Sequence, residues 1–179
     1  MPESVRVWDP LVRIFHWALV GCFTFSWITG GEWDDPHEIS GYIIAGLLTF
    51  RVIWGLIGSH YARFQHFVHG PKTVLNYLGD IAAKRERRHL GHNPAGGAMV
   101  ILLMIALAAT ALTGWLQTTD TFWGGEWVEE THGFLADAVM VLVVAHLAGV
   151  FVASRRHGEN LPRAMITGKK RAATGDDLA

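Results

Sequence analysis

Charge and cysteine are both scarce in this sequence. Only 17% of the 179 residues are Asp, Glu, Lys or Arg, whereas soluble domains carry about a quarter, so an ordinary water-soluble globule is a poor match. The single cysteine, Cys22, excludes a disulfide within the chain and any CxxCH motif for covalent haem attachment. The stretch 98–116 has no Asp, Glu, Lys or Arg, and the connections GGEWDDPHE and QTTDTFWGGEWVEETHG have no Lys or Arg. What lies outside the apolar stretches is too short and scattered for a second core, so one domain over 1–179 is expected.

Half of the residues are apolar. Crossing a bilayer takes about 20 mostly apolar residues in a helix, and four runs reach that length, at roughly 11–29, 39–57, 98–116 and 134–153. The expected fold is an all-α integral membrane protein, a four-transmembrane-helix bundle. The first run is read as a retained span: Phe15, Trp17, Phe23, Phe25 and Trp27 suit a span better than the short apolar core of a signal peptide.

The fifteen Lys and Arg residues fall in the N-terminal segment and first helical turn, in the 58–97 connection, in the tail and at Arg51. Under the positive-inside rule both termini and the long loop are expected on the cytoplasmic side, and the two acidic, Trp-rich connections opposite. The segment 71–88 has helical apolar spacing followed by a basic cluster. An interfacial helix beside anionic lipid and a solvated helix under the bundle both stay open.

Of the ten histidines, His60, His66, His69, His89, His92 and His157 belong to the loop or tail, and four belong to the spans. His16 enters with the first span from the cytoplasm, His37 opens the second from the far side, and His132 opens the fourth from that same side. His146 follows His132 by fourteen residues, about 21 Å along a helix and within about 40° of the same stripe. His37 therefore levels with His132, and His16 with His146. The third span has no histidine, and its small residues, Gly114 among them, suggest close packing.

Two levels so far apart cannot converge on one zinc ion. A proton relay would need carboxylates at mid-depth, and Asp137 is the single candidate. Haem fits best, with axial imidazoles from facing helices and a flat apolar ring filling the space between them. Gly41, Gly133 and Gly149 would let such a ring approach the backbone, with plain helix packing an equal alternative. Arg51, fourteen residues after His37, is read as a contact of a cytoplasmic-side haem propionate in preference to a snorkelling side chain; Arg13 is a weaker candidate.

The segments VWDPLVRIFHW, HEISGYIIAGLLTFRVIWGLIGSHYARF, GHNPAGGAMV, THGFLADAVMVLVVAHLAGV and HGENLPRAMITGKKR, in this order, resemble the bacterial small cytochrome b561 family. That group includes the cytochrome b subunits of membrane-bound nickel-iron hydrogenases. The resemblance implies two noncovalent haem b groups, one iron held by His16 and His146 and the other by His37 and His132. It further implies a bacterial inner-membrane protein, surrounded by lipid, that carries electrons between quinone and a periplasmic redox partner, a c-type cytochrome or a hydrogenase-like subunit. Pairing of two chains as a homodimer stays open, and no nucleic-acid partner is expected.

Two other functions are weighed. A stand-alone quinone-linked superoxide oxidase would need a cationic periplasmic face to attract superoxide, and that face has no Lys or Arg. A non-redox four-helix transporter would leave the histidines as structural groups. The segment HYARF, residues 60–64, offers polar and aromatic groups for a quinone head, with ordinary interfacial residues as an equal alternative.

Overall fold

The computed structural model describes residues 4–175, 177 and 178. In chain order the elements are β1 (Ser4–Arg6), α1 (Pro10–Thr29), α2 (Asp34–Ile57), two short 3-10 turns (His60–Ala62 and Phe64–His66), α3 (Pro71–Ala82), α4 (Pro94–Gln117), α5 (Glu126–His157), α6 (Leu161–Thr167) and β2 (Lys169–Arg171). Helices α1, α2, α4 and α5 are long and apolar enough to cross a membrane.

Local sequence explains where the helices begin. Proline tolerates the first helical turn, where its missing N–H is not needed, and a preceding Asp or Asn caps the exposed amides. Asp9 precedes Pro10 and accepts the Val12 N–H at 3.0 Å. Asn93 precedes Pro94 and accepts the Gly96 N–H at 2.7 Å, and Asn160 accepts the Arg163 N–H at 2.8 Å. Helix α5 has Glu126 and Glu129 in its first turn and Arg155, Arg156 and His157 in its last, charges that complement the helix dipole at both ends.

The helices overrun the apolar runs, because a polar end continues a backbone helix without difficulty outside hydrocarbon. Helix α5 has 32 residues, about 48 Å at 1.5 Å each, whereas the hydrocarbon core is about 30 Å thick. Its acidic start and basic end therefore project beyond the span. Helix α3 stops at Ala82, well short of residue 88, where Lys84 takes the left-handed region at φ 55°.

The chain divides into two compact units. One comprises residues 14–52 and 102–144. Its core holds Ile44 and Leu48 of α2, Leu107 of α4 and Val139 of α5, with Leu19, Cys22 and Phe23 of α1 packed against them. Four helices thus share one interior. Many outward residues are large and apolar, including Ile28, Ile105 and Val141, as expected of a surface facing lipid.

The other unit comprises residues 1–13, 53–101 and 145–179. Strands β1 and β2 pair antiparallel, Val5 opposite Lys170, over a small core of Val7, Trp8, Leu90 and Ala164. Gly168, at φ 78°, ends α6 and accepts both the Val7 and Trp8 N–H groups at 2.9 and 3.1 Å. Arg88, 5% exposed, hydrogen-bonds Glu159, Asp177 and the Arg171 carbonyl. Leu178 forms an isolated bridge with His89 through the Leu90 N–H to Leu178 O and Leu178 N–H to Arg88 O bonds. These contacts fasten the tail to the long connection.

Candidate functional site

Helix α1 ends in a polar patch that receives His37. The Nδ1 atom of His37 lies 2.9 Å from the backbone oxygen of Ser26. A carbonyl oxygen can only accept, so Nδ1 carries the hydrogen and Nε2 is left with a free lone pair. The two helices are tied nearby by the Ser26 and Ser40 hydroxyls, which hydrogen-bond each other, and the Ser40 hydroxyl donates to the His37 carbonyl at 2.8 Å.

His132 of α5 repeats the arrangement against α4. Its Nδ1 lies 3.0 Å from the Thr110 backbone oxygen and 3.2 Å from the Thr113 hydroxyl. Nδ1 is again the protonated nitrogen, and Nε2 again keeps a lone pair. Neutral imidazole with a fixed Nδ1–H is the form that binds metals, and a carbonyl partner raises its strength as a ligand.

The structure brings these two histidines together. Their ring centroids are 6.0 Å apart and their planes are inclined at 79°, a spacing on the scale of two imidazole–metal bonds of about 2 Å each with the ring radii added. Among the described residues no group of three His, Cys, Asp or Glu converges as a metal site. Two imidazoles alone suit an iron whose other ligands come from a macrocycle. A Cβ built at Gly41 or Gly133 would meet nothing within 4 Å, so the backbone on both histidine-bearing helices is open to a flat ring. The donor set fits haem.

His16 and His146 lie in different units. The His16 ring sits edge-on to Trp17, with centroids 5.1 Å apart, and His146 is half-buried on α5. Arg51 is 3% exposed, a deeply placed guanidinium on α2. Arg13 packs on Gly168, where an added Cβ would lie 2.8 Å from Nη1. Asp137 is exposed on α5 and so lines no interior path. In the HYARF segment, His60 stacks on His66 with centroids 3.8 Å apart, and Tyr61 packs on the core of Val7, Trp8, Leu90 and Ala164.

The acidic connections form a distinctive end of the 14–52 and 102–144 unit. Glu32, Asp34, Asp35, Glu38, Asp120, Glu126, Glu129 and Glu130 are all exposed, and Trp33, Trp123 and Trp127 stand out beside them at 60, 78 and 58% exposure. With no Lys or Arg in either connection, the carboxylates give this end a negative field.

Sequence reasoning treated α4 as a packing helix and missed its carbonyl and hydroxyl at His132. The signal available was the pair of similar segments SWITG, residues 26–30, and TALTG, residues 110–114.

Comparison with known proteins gives one consistent answer. The sequence model of the family described as prokaryotic cytochrome b561 matches residues 7–168. A probable Ni/Fe-hydrogenase B-type cytochrome subunit of Azotobacter chroococcum is 24% identical over 160 residues, covering 74% of this chain and 67% of the relative. The similarly named protein of Rhizobium leguminosarum is 26% identical over 161 residues, with the same two coverages, and that of Azotobacter vinelandii 22% over 160 residues. The chain thus spans about two thirds of the length of these relatives. No solved structure matches it.

Proposed function

Since the chain belongs to the prokaryotic cytochrome b561 family, a family of membrane haem b proteins that transfer electrons, we propose that it is a dihaem conduit between quinone and a periplasmic redox protein. His37 and His132 hold one haem b, and His16 and His146 the other. Haem b supplies reversible one-electron chemistry when bound, and the protein supplies ligands, burial and spacing. The observation that carries this reading is the His37–His132 pair: facing rings 6.0 Å apart, each with Nδ1 on a carbonyl and Nε2 free to bind iron.

Two imidazoles per iron leave no open position, which favours electron transfer over oxygen chemistry. The second pair rests on the depth and stripe shared by residues fourteen apart on α5. Arg51, fourteen residues after His37 and so on the same face of α2, is the contact for a propionate of the haem held by His16 and His146, since a guanidinium matches a carboxylate with two parallel hydrogen bonds. Both termini lie in the cytoplasm, by the distribution of Lys and Arg, and the membrane is the bacterial inner membrane.

The acidic, Trp-rich end is the docking surface for the periplasmic partner, and the relatives' names point to a Ni/Fe-hydrogenase as its class. The same negative field disfavours capture of superoxide, an anion. Quinone reacts near residues 60–64, on the cytoplasmic side by the distribution of Lys and Arg, where His60, Tyr61 and His66 offer polar and aromatic groups.

Quantifying haem b in the purified full chain by its pyridine complex tests the reading. Two haems per chain are expected. A fully loaded protein with one haem overturns the dihaem assignment, and one with none overturns the function.

A further inference from the structure

The segments SWITG and TALTG belong to the ends of different helices, α1 and α4, and face different histidines, yet their main contacts match. In the first, the Ser26 carbonyl accepts the Gly30 N–H at 3.0 Å and Nδ1–H of His37 at 2.9 Å, with the Thr29 hydroxyl at 3.4 Å sharing its one hydrogen between this carbonyl and that of Phe25. In the second, the Thr110 carbonyl accepts the Thr113 hydroxyl at 2.9 Å and Nδ1–H of His132 at 3.0 Å. Each threonine also reaches back one residue further, Thr29 to the Phe25 carbonyl at 2.8 Å and Thr113 to the Ala109 carbonyl at 3.0 Å.

The glycine closing the second segment helps explain why an imidazole can reach a carbonyl inside a helix. A carbonyl at position i is normally covered by the side chain at i+4, which lies one turn above it on the same face. At Gly30 an added Cβ would stand 3.5 Å from Cε1 of His37, and at Gly114 it would stand 3.1 Å from Cε1 and 3.4 Å from Nδ1 of His132. At Gly114 the ring would have to give by a few tenths of an ångström, so glycine there favours the close approach of His132; at Gly30 the contact is ordinary van der Waals contact, and a methyl group fits beside His37 without moving it.

We propose that SWITG and TALTG are paired imidazole clamps, the Ser26 and Thr110 carbonyls holding His37 and His132, with Gly114 as the positioning residue that opens the Thr110 carbonyl to His132. The clamps fix both tautomers and, by pulling on Nδ1–H, strengthen both imidazoles as donors to iron. A stronger donor stabilises the oxidised iron, so the clamps hold the potential of this haem low. The inference rests on His37 and His132 being haem ligands.

The test uses the full chain, haem-loaded and in detergent, with redox titration and low-spin electron paramagnetic resonance. Gly114→Ala should retain both haems, raise the midpoint of one and move that haem's resonance, leaving the other haem as an internal control. Gly30→Ala, where the added methyl makes only ordinary contacts, should leave both midpoints unchanged and serves as a control. In the unaltered protein the Nδ1–H protons of His37 and His132, seen as hyperfine-shifted signals in the oxidised state, should exchange slowly with D2O. Because alanine favours helix over glycine by about 1 kcal/mol, Gly114→Ala does not weaken α4; should it still fail to assemble, the exchange measurement decides alone. Unchanged midpoint and resonance in Gly114→Ala, or fast exchange of those protons, overturns the clamps. His132→Ala separates this from the ligand assignment: loss of one haem there leaves that assignment standing whatever the glycine variants do, and retention of both removes it.

Discussion

The imidazoles of His37 and His132 face each other across two helices with ring centroids 6.0 Å apart, and each rests its Nδ1 on the backbone of a third or fourth helix. All four long helices therefore contribute to one site. Two carry the imidazoles and two carry the acceptors that orient them, so the apolar core of Ile44, Leu48, Leu107 and Val139 does more than hold the helices together: it fixes the register that brings carbonyl and imidazole into reach.

Replacing either member of a pair should remove one haem and spare the other. His37→Ala and His132→Ala should each halve the haem b content, and the haem that remains should have the same midpoint in both variants. His16→Ala and His146→Ala should leave the complementary haem. Spectra in which His37→Ala and His132→Ala retain different haems would break the pairing.

The four spans and the shared level of His37 and His132 were legible in the sequence because both follow from helical rise and period. The helix ends were not: the apolar runs begin at about 39 and 134, whereas the helices start at Asp34 and Glu126. Polar residues at a span's edge carry no periodic signal to mark where the backbone begins to wind. The carbonyls of Ser26 and Thr110 were also out of reach, since backbone acceptors have no letter of their own. Gly114 was noticed as a packing residue, and its use depends on the side chain of another helix.

The proposed contact of Arg51 is tested through the potential of the haem proposed for His16 and His146. Removing a nearby cation favours the oxidised, more positive iron, so Arg51→Gln should lower that midpoint by on the order of 59 mV, a tenfold change for a one-electron couple. The His37–His132 haem should not move. A midpoint unaffected by the substitution would leave Arg51 as a residue of the bundle alone.

Arg88 holds the tail through Glu159 and Asp177. All three side chains are largely buried, and removing Arg88 would leave Glu159 and Asp177 only the longer contacts to Lys170 and Arg171 at 3.7 and 3.6 Å, against a cost of about 3–5 kcal/mol for a buried charge left wholly unpaired. Arg88→Met should therefore loosen residues 169–175, 177 and 178 in native-state hydrogen exchange, with the haem spectrum unchanged. Spectral loss in step with the loosening would show that the tail supports the haem-bearing helices as well.

The same cluster should respond to acid. Burial pushes Glu159 up, but the hydrogen bond from Arg88 and the charges of Lys170 and Arg88 outweigh it and hold the carboxyl below its ordinary 4.5. Asp177 is lowered by the Thr174 N–H and by Arg88 and Arg171. For a carboxyl with a depressed folded pKa the stabilisation is complete above the ordinary value and is lost as pH falls through the folded one. Protection of the Leu90 and Leu178 amides should thus hold at pH 6 and decline progressively below about 4.5, after correction for intrinsic exchange. Protection that rises on acidification would contradict the sign.

Association with a partner at the acidic end should be governed by charge. Eight exposed carboxylates with no Lys or Arg in their connections raise the encounter rate of a cationic protein, and salt screens that field over about 8–10 Å at ordinary ionic strength. Electron transfer from a basic soluble redox protein should slow steeply with added salt. Charge at the rim of an interface acts mainly on the rate of association, so the triple variant Glu126→Gln, Glu129→Gln, Glu130→Gln should lower the second-order rate at low salt and flatten its salt dependence. The limiting first-order rate at saturating partner should stay the same, since the haem ligands are untouched. Flash photolysis or stopped flow over a salt series reads all three quantities, and a rate that ignores salt in the unaltered protein would rule this face out as an electrostatic dock.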